Sequence, residues 1–319
     1  MNLDRQPTVA KCVNISVVVA SFSGERLLSD CLARLTQQCH LRNDIEIIAP
    51  TTLDRKPLAR VRERFPVVHF VERSPETNVF KLRAAGASLA QGRLVLLTED
   101  HTRASDRWIE QLEAAHHAGH QVVGGPVDNG RPETAYGWGL YFCEYGIHTP
   151  PMQEGITPVL SGLNIGYDRD MLDNTRAVWS EELHENEIHD ALRALGTIDL
   201  WMIPSAIVDT RLNMTPREAI LHLATGGRQY GRHRVRRARP AMRAMLAMAS
   251  PLVPIVLFAR ICFRVLRRCP IRLLRIAQSL PWIALLLGSW CVGEASGYIT
   301  TRRGASMPDS ASATEGGAA

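Results

Sequence analysis

The sequence is poor in the features that would make it easy to place. Its seven cysteines, at 12, 31, 39, 143, 262, 269 and 291, are odd in number and form no C-x-x-C pair. A disulfide framework or a four-cysteine zinc site is therefore not expected, and a reducing compartment fits better. No secretory signal is legible: Asp4 stands where a basic region belongs, and Ile15–Ala20 is too short for an apolar signal core. Residues 1–220 are accordingly expected to stay in the cytoplasm. No uncharged run reaches the ~20 residues of a typical spanning helix: Ala244–Ala259 has 16, with Pro251 and Pro254, and Ile276–Gly293 has 18. Acidic residues nearly vanish in the last third. Residues 1–220 carry 22 Lys+Arg and 29 Asp+Glu, whereas residues 221–319 carry 15 and 3. With 45% hydrophobic and 22% charged residues, the chain is neither disordered nor fibrous. It is an acidic module followed by a basic one.

The acidic module alternates strand and helix signals. Asn14–Ala20, Asp44–Ala49, Val67–Val71, Arg93–Leu97 and Gln121–Val123 read as buried strands. Between them, Leu27–Leu35, Lys56–Arg64 and Asn78–Ala90 carry helical spacing. Gly92 suits the C′ position of the third helix, and Ser105 can cap a fourth that runs to Gly119. Val159–Tyr167 reads as a further strand, Glu185–Leu195 as an amphipathic helix, and Ile198–Ile203 and Ala206–Val208 as short strands. This alternation predicts an α/β fold, a mostly parallel sheet with helices on both faces. Ligands in such sheets bind beyond the carboxyl ends of the strands, which points to Ser21–Gly24 and Thr98–His101.

Thr98-Glu99-Asp100-His101 places three possible metal ligands at a strand end. Strand alternation would put Glu99 and His101 on one side and Asp100 on the other, unless the chain turns. Oxygen ligands suit Mg²⁺ or Mn²⁺, and an imidazole favours Mn²⁺ somewhat. The bland alternative is an acidic turn with a capping aspartate. His184-Glu185 with His189 is not a zinc protease motif, because five residues rather than four separate the histidines. His189 then reads as a surface or packing residue, and His116, His117 and His120 as helix-end residues. The aromatic segment Tyr136–Tyr145 reads equally as an acceptor border or as core.

Four stretches together resemble family 2 glycosyltransferases of the GT-A fold. SVVVASFSGERLLSDCLARL is similar to that family's opening strand and nucleotide-binding turn, which implies donor contacts at Ser21 and Glu25. KLRAAGASLAQGRLVLLTED resembles the stretch that leads into the family's metal motif, with Arg83, Gly86, Ala90 and Gly92 in place. SGLNIGYDRDML resembles the acceptor-side segment, and HENEIHDALRALG the helix that carries the catalytic carboxylate. The resemblance implies Glu185 as the base, Arg83 and Asp100 at the donor diphosphate, and Asp100, His101 and Glu99 around a divalent metal, Mn²⁺ or Mg²⁺. It implies a nucleotide-sugar donor and inversion by direct displacement. The chain departs from the family pattern where Ala84 replaces an asparagine and His184 replaces the first member of a Glu-Asp pair. The base-reading aspartate has no clear counterpart: Thr51 stands near it, with Asp54 as a shifted candidate.

The basic third interleaves arginines with apolar runs, which argues against a nucleic-acid surface and for a membrane. The positive-inside tendency keeps both arginine clusters on one side. The first run is then re-entrant or interfacial, and the second either spans or lies in the interface. The resulting organisation is a GT-A domain over 1–225, a basic linker over 226–243, membrane-associated hydrophobic helices over 244–300, and a low-complexity tail over 301–319. The function expected is transfer of sugar to a lipid-linked or envelope-polysaccharide acceptor, at the cell inner membrane or plasma membrane, with the catalytic domain cytoplasmic. A degenerate, non-catalytic membrane scaffold and a nucleotidyltransferase are the rival readings.

Overall fold

A computed structural model describes residues 13–131, 133–196, 198–211, 214–235 and 238–300. The expected tail over 301–319, and Asp4 and Cys12 near the N-terminus, lie outside the described residues. Along the chain come β1 (Ile15–Ala20), α1 (Glu25–Cys39), β2 (Ile45–Thr51), α2 (Arg55–Arg64), β3 (Val68–Glu72), α3 (Val79–Leu89), β4 (Leu94–Glu99), β5 (Thr102–Ala104), α4 (Trp108–His117), β6 (Val122–Gly124) and β7 (Val127–Asn129). They are followed by α5 (Ala135–Tyr145), β8 (Gly155–Thr157), β9 (Ile165–Asp168), α6 (Arg169–Asn174), α7 (Arg176–Trp179), α8 (Glu185–Ala194), β10 (Leu200–Met202) and β11 (Val208–Thr210). The helices α9 (Pro216–Arg234), α10 (Pro240–Ala249), α11 (Val253–Arg268) and α12 (Leu273–Thr300) complete the described chain.

The main sheet has the order β3-β2-β1-β4-β9-β6-β10-β8. Its first four strands are mutually parallel; β9 runs against both β4 and β6, and β8 runs against β10. A small sheet, β5-β11-β7, stands apart. Alternation along β1 explains the two cores. Ile15, Val17 and Val19 meet Leu28 and Leu32 of α1, Leu58 of α2 and Trp108 of α4. Val18 turns to the other face, with Ala84 and Ala87 of α3 and Ile188 and Leu192 of α8. Both faces are therefore covered, as a mostly parallel sheet requires.

Two helix-end expectations are corrected. Gly92 is not a left-handed cap: α3 ends in an extended Ala90, and a Cβ on Gly92 would lie 2.5 Å from the Ser16 nitrogen. Glycine serves there for close approach to β1. Ser105 does not cap α4 with its hydroxyl, which is directed 3.4 Å from the Ser205 carbonyl instead; the helix begins after Arg107. The strand expected over Val159–Tyr167 is confined to β9. Tyr136–Tyr145 forms α5, in which Trp138, Tyr141 and Phe142 are buried. His189 is 1% exposed and so a packing residue, while His120 stacks on Trp201 at 3.7 Å. All six described cysteines are free.

The described chain forms two compact units. One runs through residue 215 and takes back 259–283; the other comprises 216–258 and the chain from 284 onward. In the first, Arg272 makes two hydrogen bonds to Asp128 (2.8 and 2.9 Å), Arg275 pairs with Glu133 at 2.8 Å, and Arg268 donates to the Ile147 carbonyl. In the second, α9 packs along the distal half of α12. Two helical stretches, Pro240–Arg268 and Pro270–Thr300, are long and apolar enough to cross a membrane by length and composition.

Candidate active site

The carboxyl ends of β1 and β4 lie side by side, with Ala20 opposite Glu99. The chain leaving β1 turns through Ser21–Gly24, and the chain leaving β4 turns at Asp100–His101. Asp100 ties the two turns together. Its Oδ2 accepts from the backbone N–H of Phe22 and of Ser23, both at 2.8 Å, and its own N–H donates to the Ala20 carbonyl. Charged acceptors on backbone amides make strong hydrogen bonds, so this junction is rigid. Ser21 Oγ lies 3.0 Å from Thr51 Oγ1 at the end of β2. The turn residue and the residue nearest the base-reading position thus meet. Glu25, the first residue of α1, is instead paired with Arg60 of α2 on the surface.

Glu99 and His101 lie close together across the turn that follows β4, so it is the turn and not strand alternation that brings them near. His101 Nδ1 is 3.5 Å from Glu99 Oε2, 3.8 Å from Asp100 Oδ1 and 3.5 Å from Ser23 Oγ. Asp100 Oδ1 and His101 Nε2 are buried and have no hydrogen-bond partner. A buried carboxylate oxygen without a donor is costly unless something positive faces it. Among the described residues, no three His, Cys, Asp or Glu side chains close on one point as a complete metal cage. A small divalent cation at a diphosphate does not need one, since it takes one or two carboxylates and completes its shell with phosphate and water. The residues present fit a cation of that kind.

Arg83, on α3, is the hub. Its side chain is 6% exposed; one Nη bonds Glu99 and the other donates to Glu185 Oε2 at 3.0 Å. Burial works against its charge, but Glu99 and Glu185 outweigh it and raise its pKa further. The loop at Gly162 passes so close that a Cβ there would lie 2.4 Å from Nη1, so a side chain at 162 would displace the guanidinium. Glu185 opens α8, where the helix dipole favours its anion. Burial raises its pKa, but Arg83, its own backbone N–H, His189 and the Gly162 N–H bring it below the ordinary carboxylate range. It is ionised at neutral pH and remains one-fifth exposed.

Sequence reasoning missed the floor beneath Glu185. His189, one turn along α8, lies 3.0 Å from the Tyr167 hydroxyl, and burial lowers its pKa to about 4. His148 is also held near 4 by burial, against an opposing pull from the Glu185 charge. Both are neutral at pH 7. His184 stacks on Phe80, centroids 3.7 Å apart, so the position of the family's first acidic residue serves packing here. Asn164, in the acceptor-like segment, is a core tie that bonds the Pro126 and Ala206 carbonyls and the Trp108 indole.

The arrangement holds an ionised carboxylate at a helix start, one guanidinium away from an acidic strand end that lies beside the turn fixed by Asp100. The architecture is that of a GT-A fold. The family model of glycosyl transferase family 2 matches residues 16–176, half of the chain. The chain belongs to that family and is a glycosyltransferase. Its fold is similar to that of mannosyltransferase PcManGT from Pyrobaculum calidifontis, solved with GDP-Man and Mn²⁺, at 14% identity and TM-score 0.55 over 88% of this chain and 86% of that one. S. aureus TarS 1-349 aligns at 13% identity and TM-score 0.47, over 89% and 91%. No curated protein matches in sequence.

Proposed function

We propose that this glycosyltransferase takes a sugar from a nucleotide-sugar and transfers it with inversion to an acceptor at a membrane surface. The observation that carries the reading is the Arg83 bridge between Glu99 and Glu185, which joins a donor-side acid to an acceptor-side base. Glu185 accepts the proton of the acceptor hydroxyl. The freed oxygen attacks the sugar C1 from the face opposite the diphosphate, and the C1–O bond breaks with its electron pair passing to the nucleoside diphosphate. Arg83 offsets the charge that develops there, a preorganised electrostatic role. Glu99 and His101 would hold a divalent cation, Mn²⁺ or Mg²⁺, with Asp100 Oδ1 beside them. Such an ion, when bound, neutralises the leaving diphosphate. Ser21 and the turn that Asp100 fixes border the nucleotide; Glu25 supports α1 from the surface.

The C-terminal helices support membrane association. Their apolar residues are extensively exposed, among them Met248 at 76%, Ile255 at 65% and Ile271 at 83%. Arginines flank them, suited to anionic headgroups. A lipid-linked or envelope-polysaccharide acceptor and a cytoplasmic catalytic face follow from that placement.

The test is a nucleotide-sugar panel with Mn²⁺, read first by thermal shift and then by nucleoside diphosphate release. Glu185→Gln should bind donor as the parent does and turn over ~10²–10⁴-fold more slowly, the usual weight of a general base. Undiminished turnover in that variant would remove Glu185 from its role.

A further inference from the structure

The arginines of the C-terminal stretch that folds with the catalytic unit fall into two groups. Arg272 and Arg275, around the start of α12, are each matched by a carboxylate, Asp128 and Glu133. Arg260, Arg264 and Arg268 of α11 are not. Among the described residues, none of the three is paired with an acid. They stand four residues apart, on one row of the helix, where like charges repel. The row is more than a solvated face. Arg264 and Arg268 are half-buried, and Arg268 donates to the Ile147 carbonyl at 3.1 Å. Partly desolvated like charges without counter-charges are unfavourable unless an anion faces them.

The surroundings of the row show which anion that is. Helix α11 packs on the turn Gly146–His148, where a Cβ on Gly146 would lie 3.6 Å from Ile261 Cγ1. His148 is 6% exposed, and its Nδ1 is buried without a hydrogen-bond partner. The imidazole feels the Glu185 carboxylate and, with the opposite sign, the guanidinium groups of Arg264 and Arg268. Among acids it is Glu185 that acts on this ring, and not Glu99 or Asp100 of the donor side. The row therefore belongs to the acceptor side of the site.

We propose that Arg264 and Arg268 hold a phosphate or diphosphate carried by the acceptor, whose sugar hydroxyl is presented to Glu185. This rests on the glycosyl-transfer reading above and names the class of acceptor: a phosphate-linked saccharide rather than a neutral glycan. Two guanidinium forks one helical turn apart suit the several oxygens of such a group, each able to accept more than one N–H. The group is held and not consumed. The bond formed is still the one between the acceptor hydroxyl oxygen and the sugar C1, and the arginines keep their protons.

Geranyl diphosphate is the probe, a lipid diphosphate without a sugar. It is titrated against the full-length chain in detergent, with EDTA present so that no cation recruits it to the donor side. The parent should bind it and should not bind geraniol. Arg264→Gln removes no hydrogen bond of the fold, and should weaken binding at least ~10-fold, the weight of a hydrogen bond to a charged group. Adding Arg268→Gln should weaken it further. Unchanged affinity in both variants would overturn the proposal. So would variants that keep their affinity for geranyl diphosphate but float less with phosphatidylglycerol vesicles, since the row would then serve bilayer headgroups. Undiminished turnover in Glu185→Gln would sink the reading of the base without altering the geranyl diphosphate result, so the two failures are distinguishable.

Discussion

Each unit of the molecule buries a charged cluster, and the two are handled differently. In the catalytic unit Arg83 is buried between Glu99 and Glu185, with Asp100 Oδ1 and His101 Nε2 left without partners nearby. In the helical unit Glu294 is buried with Arg234, Tyr298 and Trp290, so that both of its oxygens are occupied. The first cluster keeps polar atoms unpaired, Arg83 Nε as well as Asp100 Oδ1 and His101 Nε2, which suits a site awaiting a cation and a diphosphate. The second closes on itself, which suits a fastener. A buried ion pair by itself says little about function; what separates these two is whether polar atoms remain to be used.

The comparison breaks first at Arg83. Arg83→Met leaves Glu99 and Glu185 buried without a counter-charge, and should cost ~3–5 kcal/mol of stability, the weight of an orphaned buried charge, together with measurable turnover. Urea unfolding and a turnover assay on the same preparation check both. A loss confined to turnover would mean that the two carboxylates find other partners. The next effect is pH dependence. His189 has its pKa lowered to about 4, so below ~6.5 the unfolded chain binds a proton that the folded one refuses. Stability should therefore fall as pH drops from 6.5 towards 4, by ~3 kcal/mol from this residue. Glu185, whose pKa is depressed, adds to the loss in the same direction below the ordinary carboxylate value. His148, also held near 4, titrates over the same range, so His189→Gln should remove about half of the histidine slope in urea melts at stepped pH; an unchanged slope would place the titration elsewhere. The smallest effect belongs to the fastener. Glu294→Gln keeps the shape and most hydrogen bonds, and should cost ~0.5–1.5 kcal/mol with donor turnover unchanged. A turnover defect in that variant would blur the line drawn between the two clusters.

Much of this was legible along the chain. Arg83 and Glu185 fall in stretches whose residue pattern singles them out, and the strands β1 to β4 announce themselves by short apolar runs. Asp100 was harder. Its partners, Phe22 and Ser23, lie 78 and 77 positions away, and no local pattern reports such a bond. Gly92 looked like a helix end because glycine serves both left-handed turns and close approach, and the sequence does not separate the two. The stretch rich in arginine after residue 225 offered only its charge; that its glycines match those of α12 depends on two helices about 60 residues apart meeting in register.

By itself the sequence determined what local rules can reach: an α/β fold of alternating elements, an acidic module ahead of a basic one, and apolar runs at the edge of spanning length. The tertiary structure decided which carboxylates share a guanidinium, which oxygen of Asp100 remains unpaired, and which face of each C-terminal helix is left uncovered. Those outcomes depend on contacts between distant residues, where burial sets the energy of each charge, and only the folded chain brings such residues within reach.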